Sequence, residues 1–148
     1  MVKFGISILK NIFIIFLLVS NLLASSLEIE QKIYTVVLFT IFPHKSTINI
    51  WSDDERNRKL LSSLSLDIKI VENIQDADLL LITHTYNIQT DKMVFVGKYS
   101  LLKEYNKSAI GGFYWQKGRP NLVFLHKNIL LYHINLPNDM KEFEEDEL

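Results

Sequence analysis

The sequence predicts an α/β domain, with a small sheet of about five to six strands, partly parallel, and helices packed on it. Short apolar runs alternate with segments of helical spacing, as in parallel sheets with helical crossovers. The run Leu79 to Ile82 is continuously apolar, which is typical of a strand buried on both faces. Two later runs of period two flank a turn at Lys117 to Pro120 and predict a C-terminal antiparallel hairpin.

The first 26 residues match the three-part pattern of a secretory signal peptide. Two lysines and no acid precede an apolar core, Ile12 to Leu23, which is followed by the small residues Ala24, Ser25 and Ser26. An uncleaved membrane anchor is the alternative, but a span needs about 20 apolar residues and Lys10 interrupts this one. We therefore expect cleavage after Ser26 and a single periplasmic domain of residues 27–148.

Composition excludes several classes of function. The chain has 16 Lys and Arg against 17 Asp and Glu, and removal of the signal takes away two lysines and no acid. The densest basic cluster, Arg56 to Lys59, follows directly on acids, so no nucleic-acid partner is expected. Because the chain has no cysteine, disulfides, thiolate nucleophiles and cysteine-bound metals are excluded.

The segment Glu28 to Phe42 is predicted to be the first helix. Its apolar residues recur at three-to-four spacing, and Pro43 ends it. Its β-branched residues also leave a buried strand open. The apolar positions are Ile29, Ile33, Val36, Val37 and Ile41.

A strand, a helix and a second strand follow. Thr47 to Trp51 and Leu66 to Ile70 alternate apolar and polar residues, as strands do. Between them, Ser52 and Glu55 have the spacing of a capping box, so we expect a helix to begin there. Leu60, Leu61 and Leu64 supply its apolar face.

The C-terminal half completes the sheet. Met93 to Val96 predicts another strand, and residues 97–107 a turn into a short helix. In the hairpin, large aromatic residues at structural spacing are expected to form core: Phe113, Trp115 and Phe124. We expect a short helix over Ile129 to Tyr132 and a solvated acidic tail, Glu142 to Leu148.

Polar residues follow three of the predicted strands and define the candidate site. Ligands of open α/β sheets bind at the carboxyl ends of strands, and we expect these loops to converge there. An imidazole at this edge would make binding pH-dependent, and a lysine would favour an anionic group. The alternatives are solvated loop residues and, for the two aspartates, helix-start charges. The candidates are Asp53, Asp54, His84, Tyr86, Lys98 and Tyr99.

Motifs for catalysis, cofactors and metals are missing from the sequence. It has no HExxH, no Gly-x-Ser-x-Gly, no GxGxxG and no P-loop. No two of its four histidines lie at metal-ligand spacing with a third group nearby. We therefore expect no catalytic residues, no metal and no cofactor, and a protein that works by binding.

Five segments follow one another along the chain: Phe42-Pro43, Ser52-Asp53, the strand Ala77 to Ile82, Val94-Phe95-Val96-Gly97, and Gly111-Gly112 before the aromatic hairpin. Their order resembles that of the YfiR-like periplasmic proteins, over most of residues 32–140. The resemblance implies a small exported α/β regulator without catalysis of its own. Such a regulator binds the periplasmic part of an inner-membrane signalling protein, such as a diguanylate cyclase or a sensor kinase.

We therefore expect a periplasmic regulatory or sensory binding protein. The alternatives are a structural or interaction subunit of a cell-envelope assembly and a small solute-binding module. The sequence leaves the partner, any ligand, the strand order and the possibility of a homodimer open.

Overall fold

The computed structural model describes residues 26–148, so the predicted export signal, apart from Ser26, lies outside the described residues. The chain divides into two units between Tyr34 and Thr35, and the whole sheet belongs to Thr35–Leu148. Within residues 26–148, no helix has the length and apolarity needed to cross a membrane. The first described helix, α1, covers residues 26–41.

The remaining elements alternate as an α/β fold requires. Two 3₁₀ turns, Ile74–Asp76 and Asn138–Phe143, precede β3 and β7. In chain order the elements are β1 (Ile48–Ser52), α2 (Glu55–Ser62), β2 (Ile68–Ile70), β3 (Leu79–Ile82), β4 (Met93–Val96), α3 (Tyr99–Glu104), β5 (Ala109–Gln116), β6 (Arg119–Leu125), α4 (His126–Leu131) and β7 (Glu144–Glu145).

The strands form one mostly parallel sheet of seven, in the order β2-β1-β3-β4-β5-β6-β7. The α/β class is thus confirmed, with more strands than the five or six expected. Strands β1 to β5 pair in parallel, and β5 and β6 form the antiparallel hairpin. From β1 the chain crosses to β2 on one side, and from β3 it proceeds to β4 on the other. This reversal between β1 and β3 is a topological switch point.

Both faces of the central strands are buried. Leu80 and Ile82 on β3 share one face with Val94 and Val96 on β4, and α3 packs there through Leu101, Leu102 and Tyr105. The alternate positions Leu79, Leu81 and Phe95 belong to the other face and are at most 2% exposed. The continuous apolar run of β3 is therefore explained, because a strand covered on both faces has no polar side.

The hairpin turns through two residues, not the four that the sequence suggested. Lys117 and Gly118 both have positive φ, 51° and 72°, as a type I′ turn requires. At its base, Phe113 and Phe124 are 3% and 0% exposed, so these two are core as expected. Trp115 is 37% exposed, and its expected place in the core is wrong. It lies near the tip, beyond the residues of β5 that pair with β4.

Two further expectations are corrected. Val36 was expected on the apolar face of α1, but it is 51% exposed while Val37 is buried. The acidic tail is not wholly solvated, since Glu144 and Glu145 pair in parallel with the end of β6. The tail joins the sheet because the open edge of β6 offers backbone partners there.

The start of α2 also differs from the expected capping box. Asp54, not Ser52, is the N-cap, and its carboxylate accepts from the backbone N–H groups of Arg56 and Asn57 at 2.7 and 3.3 Å. The Ser52 hydroxyl instead accepts from the N–H of Asp54. A carboxylate at the N-cap satisfies first-turn donors and favours the helix dipole.

Candidate functional site

The switch point lies at the carboxyl ends of β1, β3 and β4, which are neighbours in the sheet. Five of the six candidate residues lie in the loops that leave these ends, and Tyr99 is the first residue of α3. Four of the six, Asp53, Asp54, His84 and Lys98, form a connected cluster, which we call the switch-point cluster. Tyr86 lies in the loop after β3 and Tyr99 at the start of α3, and both make other contacts.

Asp53 fixes the loop after β3. Its carboxylate accepts from three consecutive backbone N–H groups, those of Thr83, His84 and Thr85, at 2.8, 2.9 and 2.7 Å. Partial burial raises the pKa of Asp53, but these hydrogen bonds outweigh it and hold that pKa below its ordinary value of 3.8. Asp53 therefore links the loop after β1 to the loop after β3. Its carboxylate does not serve as a charge at the start of α2, which was the alternative from the sequence.

Asp54, His84 and Lys98 form a row across the three loops. The Nε2 of His84 lies 2.8 Å from Asp54 Oδ2, and its Nδ1 lies 3.2 Å from Lys98 Nζ. Partial burial raises the pKa of Asp54, but hydrogen bonds from His84 and the α2 backbone, with the His84 charge, lower it below its ordinary value. The side chain of His84 is 53% exposed and that of Asp54 only 17%, so the row points outward.

A second layer holds the β3 loop from beneath. The side-chain amide of Asn57, a buried residue of α2, donates to Thr83 Oγ1 at 2.7 Å. Gly97, at the end of β4, permits this arrangement, since a Cβ there would lie 2.5 Å from the same Thr83 oxygen. The loops under the switch-point cluster are therefore tied to α2 and β4 by specific contacts.

Tyr105 anchors the far end of the β3 loop. Its hydroxyl donates to the carbonyl of Thr85 at 2.7 Å and accepts from the N–H of Ile88 at 3.2 Å. Burial raises the pKa of Tyr105, so the hydroxyl stays protonated and able to donate. The backbone between these two contacts includes Asn87, which has a positive φ of 60°.

Exposed tyrosines flank the switch-point cluster. Tyr86 and Tyr99 are 51% and 45% exposed, and the Tyr86 hydroxyl lies 3.2 Å from that of Ser100. The Tyr99 ring packs at 5.7 Å from that of Tyr114 on β5, and the Lys103 ammonium lies 5.8 Å from the Tyr99 ring centre. We call Tyr86, Tyr99 and Tyr114, with Lys98 and Lys103, the tyrosine edge.

Sequence reasoning missed the supporting residues. Asn57 lies on the apolar stripe of α2 with Leu60 and Leu61, and a polar residue at such a position signals a buried hydrogen bond. Tyr105 gave a similar signal, because a buried phenol needs a partner for its hydroxyl. The sequence gave no such signal for Tyr114 and Lys103, because their contacts with Tyr99 depend on how α3 packs against β5.

Other concave and charged features lie away from this cluster. An open groove of about 520 Å³ runs between α2 and β2, lined by Arg58, Lys59, Glu72 and neighbours. Most of its lining residues are charged or polar, whereas hydrophobic and aromatic residues predominate in small-molecule pockets. Across residues 26–148, no three His, Asp or Glu side chains lie close enough together to hold a metal ion.

Comparison with known proteins adds no relative. Neither the protein-family models, nor the curated proteins, nor the solved structures contain a match to this chain.

Proposed function

We propose that this protein is an exported, non-catalytic regulatory or sensory binding protein that acts on an inner-membrane signalling partner through the tyrosine edge. The export pattern of residues 1–26 and the resemblance to YfiR-like proteins support the location and the class of partner. A diguanylate cyclase or a sensor kinase is the kind of partner that the resemblance implies.

The observation that carries the proposal is that exposed tyrosines lie beside loops held in place by hydrogen bonds. Tyrosine supplies a large, stiff, amphipathic surface and is enriched in protein interfaces and among their hot spots. Tyr86 and Tyr99 remain half exposed, although Asp53 and Tyr105 hold the backbone of the loop that carries Tyr86, and Tyr99 is the first residue of α3. Such a surface loses little conformational entropy when a partner binds.

The polar side chains of the switch-point cluster already have hydrogen-bond partners within the protein, which favours binding over catalysis. The carboxylate of Asp53 accepts hydrogen bonds from three backbone N–H groups. The carboxylate of Asp54 caps α2 and is also in contact with His84. A general base needs a lone pair aimed at a substrate proton, and both ring nitrogens of His84 already have protein partners.

A structural or interaction subunit of an envelope assembly is the second candidate. It is favoured by apolar side chains that the fold leaves exposed on two helices, because such residues often mark interaction sites. These are Val36 and Phe39 on α1, at 51% and 60%, and Leu130 and Leu131 on α4, at 60% and 63%. A small solute-binding module is the third candidate, with the switch point as its site.

Affinity capture from detergent-solubilised membranes tests the proposal. We expect wild-type protein, with a mature N-terminus at Leu27, to retain one integral-membrane signalling protein. Replacing Lys98 and Tyr99 with alanine should reduce the retained amount roughly tenfold or more, since truncated hot spots commonly cost over about 1 kcal/mol.

The matched control replaces Lys117 and Arg119, which are exposed at the hairpin tip. Although this variant loses two positive charges and the Lys98 and Tyr99 variant loses one, it should bind as the wild type does. Equal capture by both variants would reject the tyrosine edge as the binding surface. If the protein instead retains a large complex, and only changes at Phe39 or Leu131 abolish that retention, the envelope subunit is favoured.

A further inference from the structure

The contacts of His84 determine which of its ring nitrogens carries the proton. A lysine ammonium has three donors and no acceptor, so the nitrogen that faces Lys98 Nζ must be the acceptor. The proton of the neutral ring then sits on Nε2 and is donated to Asp54 Oδ2, 2.8 Å away. In this state His84 is neutral and holds the ammonium of Lys98.

Protonation of the His84 ring breaks its contact with Lys98 but not its contact with Asp54. A charged imidazole carries N–H donors on both nitrogens, so Nδ1 and Lys98 Nζ would face each other as two donors and two cations. The contact with Asp54, in contrast, becomes an ion pair and is strengthened. The ring therefore stays on Asp54, and Lys98 has to leave.

We propose that His84 is a proton-controlled latch on Lys98: the neutral ring holds the ammonium in the switch-point cluster, and the charged ring releases it. This proposal rests on the proposed function, because it describes how the tyrosine edge is regulated. Imidazole is the side chain whose charge ordinarily changes between about pH 5 and 8.

The groups that face His84 come from every adjoining loop. Asp54 and Asp53 lie on the β1 side, where Asp53 accepts from the His84 backbone N–H, and Lys98 lies on the β4 side. Tyr105 reaches the same loop through the carbonyl of Thr85. Because Asp53 and Tyr105 bind backbone atoms, protonation of the ring leaves them in place, and the change is confined to Lys98.

The released lysine changes what the edge recognises. Among the described residues, neither Lys98 nor Lys103 has a carboxylate partner, and both nearby aspartates are already engaged. Free of His84, the ammonium is available beside Tyr99 for a carboxylate of the partner, a charge-assisted contact. Acid conditions therefore favour a partner that presents an acidic side chain at the tyrosine edge.

Lysine side-chain NMR tests the latch without any partner. In the full-length protein labelled at the lysine ε-carbons, the Lys98 signal, assigned through Lys98→Arg, should shift between pH 5 and 8. Its midpoint should coincide with that of the His84 ring signals. In His84→Asn the Lys98 transition should be lost.

His133→Asn is the matched control, because His133 is exposed with a φ of 54°, a conformation that asparagine tolerates. This variant should keep the Lys98 transition. A Lys98 signal that is flat in the wild type, or that still shifts in His84→Asn, overturns the latch. Loss of capture by Lys98 and Tyr99 variants is measured separately, so either proposal can fail while the other stands.

Discussion

The β5–β6 hairpin and the switch-point loops are two prominent regions of the domain, and they are stabilised in opposite ways. The hairpin base is apolar, with Phe124 wholly buried and paired with Gly111. The first residues of the loop after β3 are instead held by hydrogen bonds to Asp53. The difference teaches that one sheet is stabilised by buried apolar side chains at the hairpin base and by backbone hydrogen bonds at the switch-point loops.

The hairpin is itself graded along its length. The Phe113 ring is buried and makes an edge contact with the Trp115 ring at 6.1 Å, but Trp115 is partly exposed. Burial thus declines from the paired base to the free tip, because β4 and β7 pair only with the residues near the base.

The largest expected effect comes from the hairpin base. Phe124→Ala should lower the free energy of unfolding by about 3 to 5 kcal/mol, because it removes a fully buried ring and leaves a cavity. Trp115→Ala removes a larger ring but should cost clearly less, because Trp115 is 37% exposed. Urea denaturation monitored by circular dichroism measures both. Similar costs for the two variants would show that the tip is as tightly packed as the base.

A smaller effect is expected in the switch-point loops. Asp53→Ala should cost about 1 to 3 kcal/mol, because three backbone donors lose their acceptor. Asp54→Ala removes a helix cap and should cost about 1 kcal/mol. Chemical denaturation at neutral pH compares the two neighbouring carboxylates directly.

Acid titration sharpens the same comparison. Because the fold lowers the pKa of Asp53, its stabilising effect is complete above the ordinary value of 3.8 and is lost as the pH falls through the lower folded value. The free energy of unfolding should therefore fall less steeply below about pH 4 in Asp53→Ala than in the wild type. An equally steep fall in the variant would mean that other carboxylates control the acid response.

Much of the fold could be predicted from the sequence, because apolar periodicity reports burial. The runs of β3 and β4 were located within their observed bounds, since each consists of residues that only a covered strand accommodates. Trp115 was misplaced because periodicity gives the face of a residue and not its distance from the end of a sheet. The β7 pairing was missed because Glu144 and Glu145 have no strand-like pattern.

The site was less accessible to sequence reasoning. The rule for strand ends selected Asp53, His84 and Lys98, but their contacts depend on the order of the strands, which periodicity does not encode. The role of Asp53 was also hidden, because its partners are backbone N–H groups that every sequence possesses. Side-chain identity shows which groups are present, and only the topology shows which of them meet.

Site-specific photo-crosslinking tests the central claim, that the tyrosine edge is the binding surface, most directly. A benzophenone side chain at Tyr86 or Tyr99 should form an adduct with one membrane protein, because these exposed positions lie on the proposed interface. The same group at Lys117 on the hairpin tip should form none. Adducts at Lys117 or at Leu130 on α4, with none at Tyr86 and Tyr99, would contradict the account.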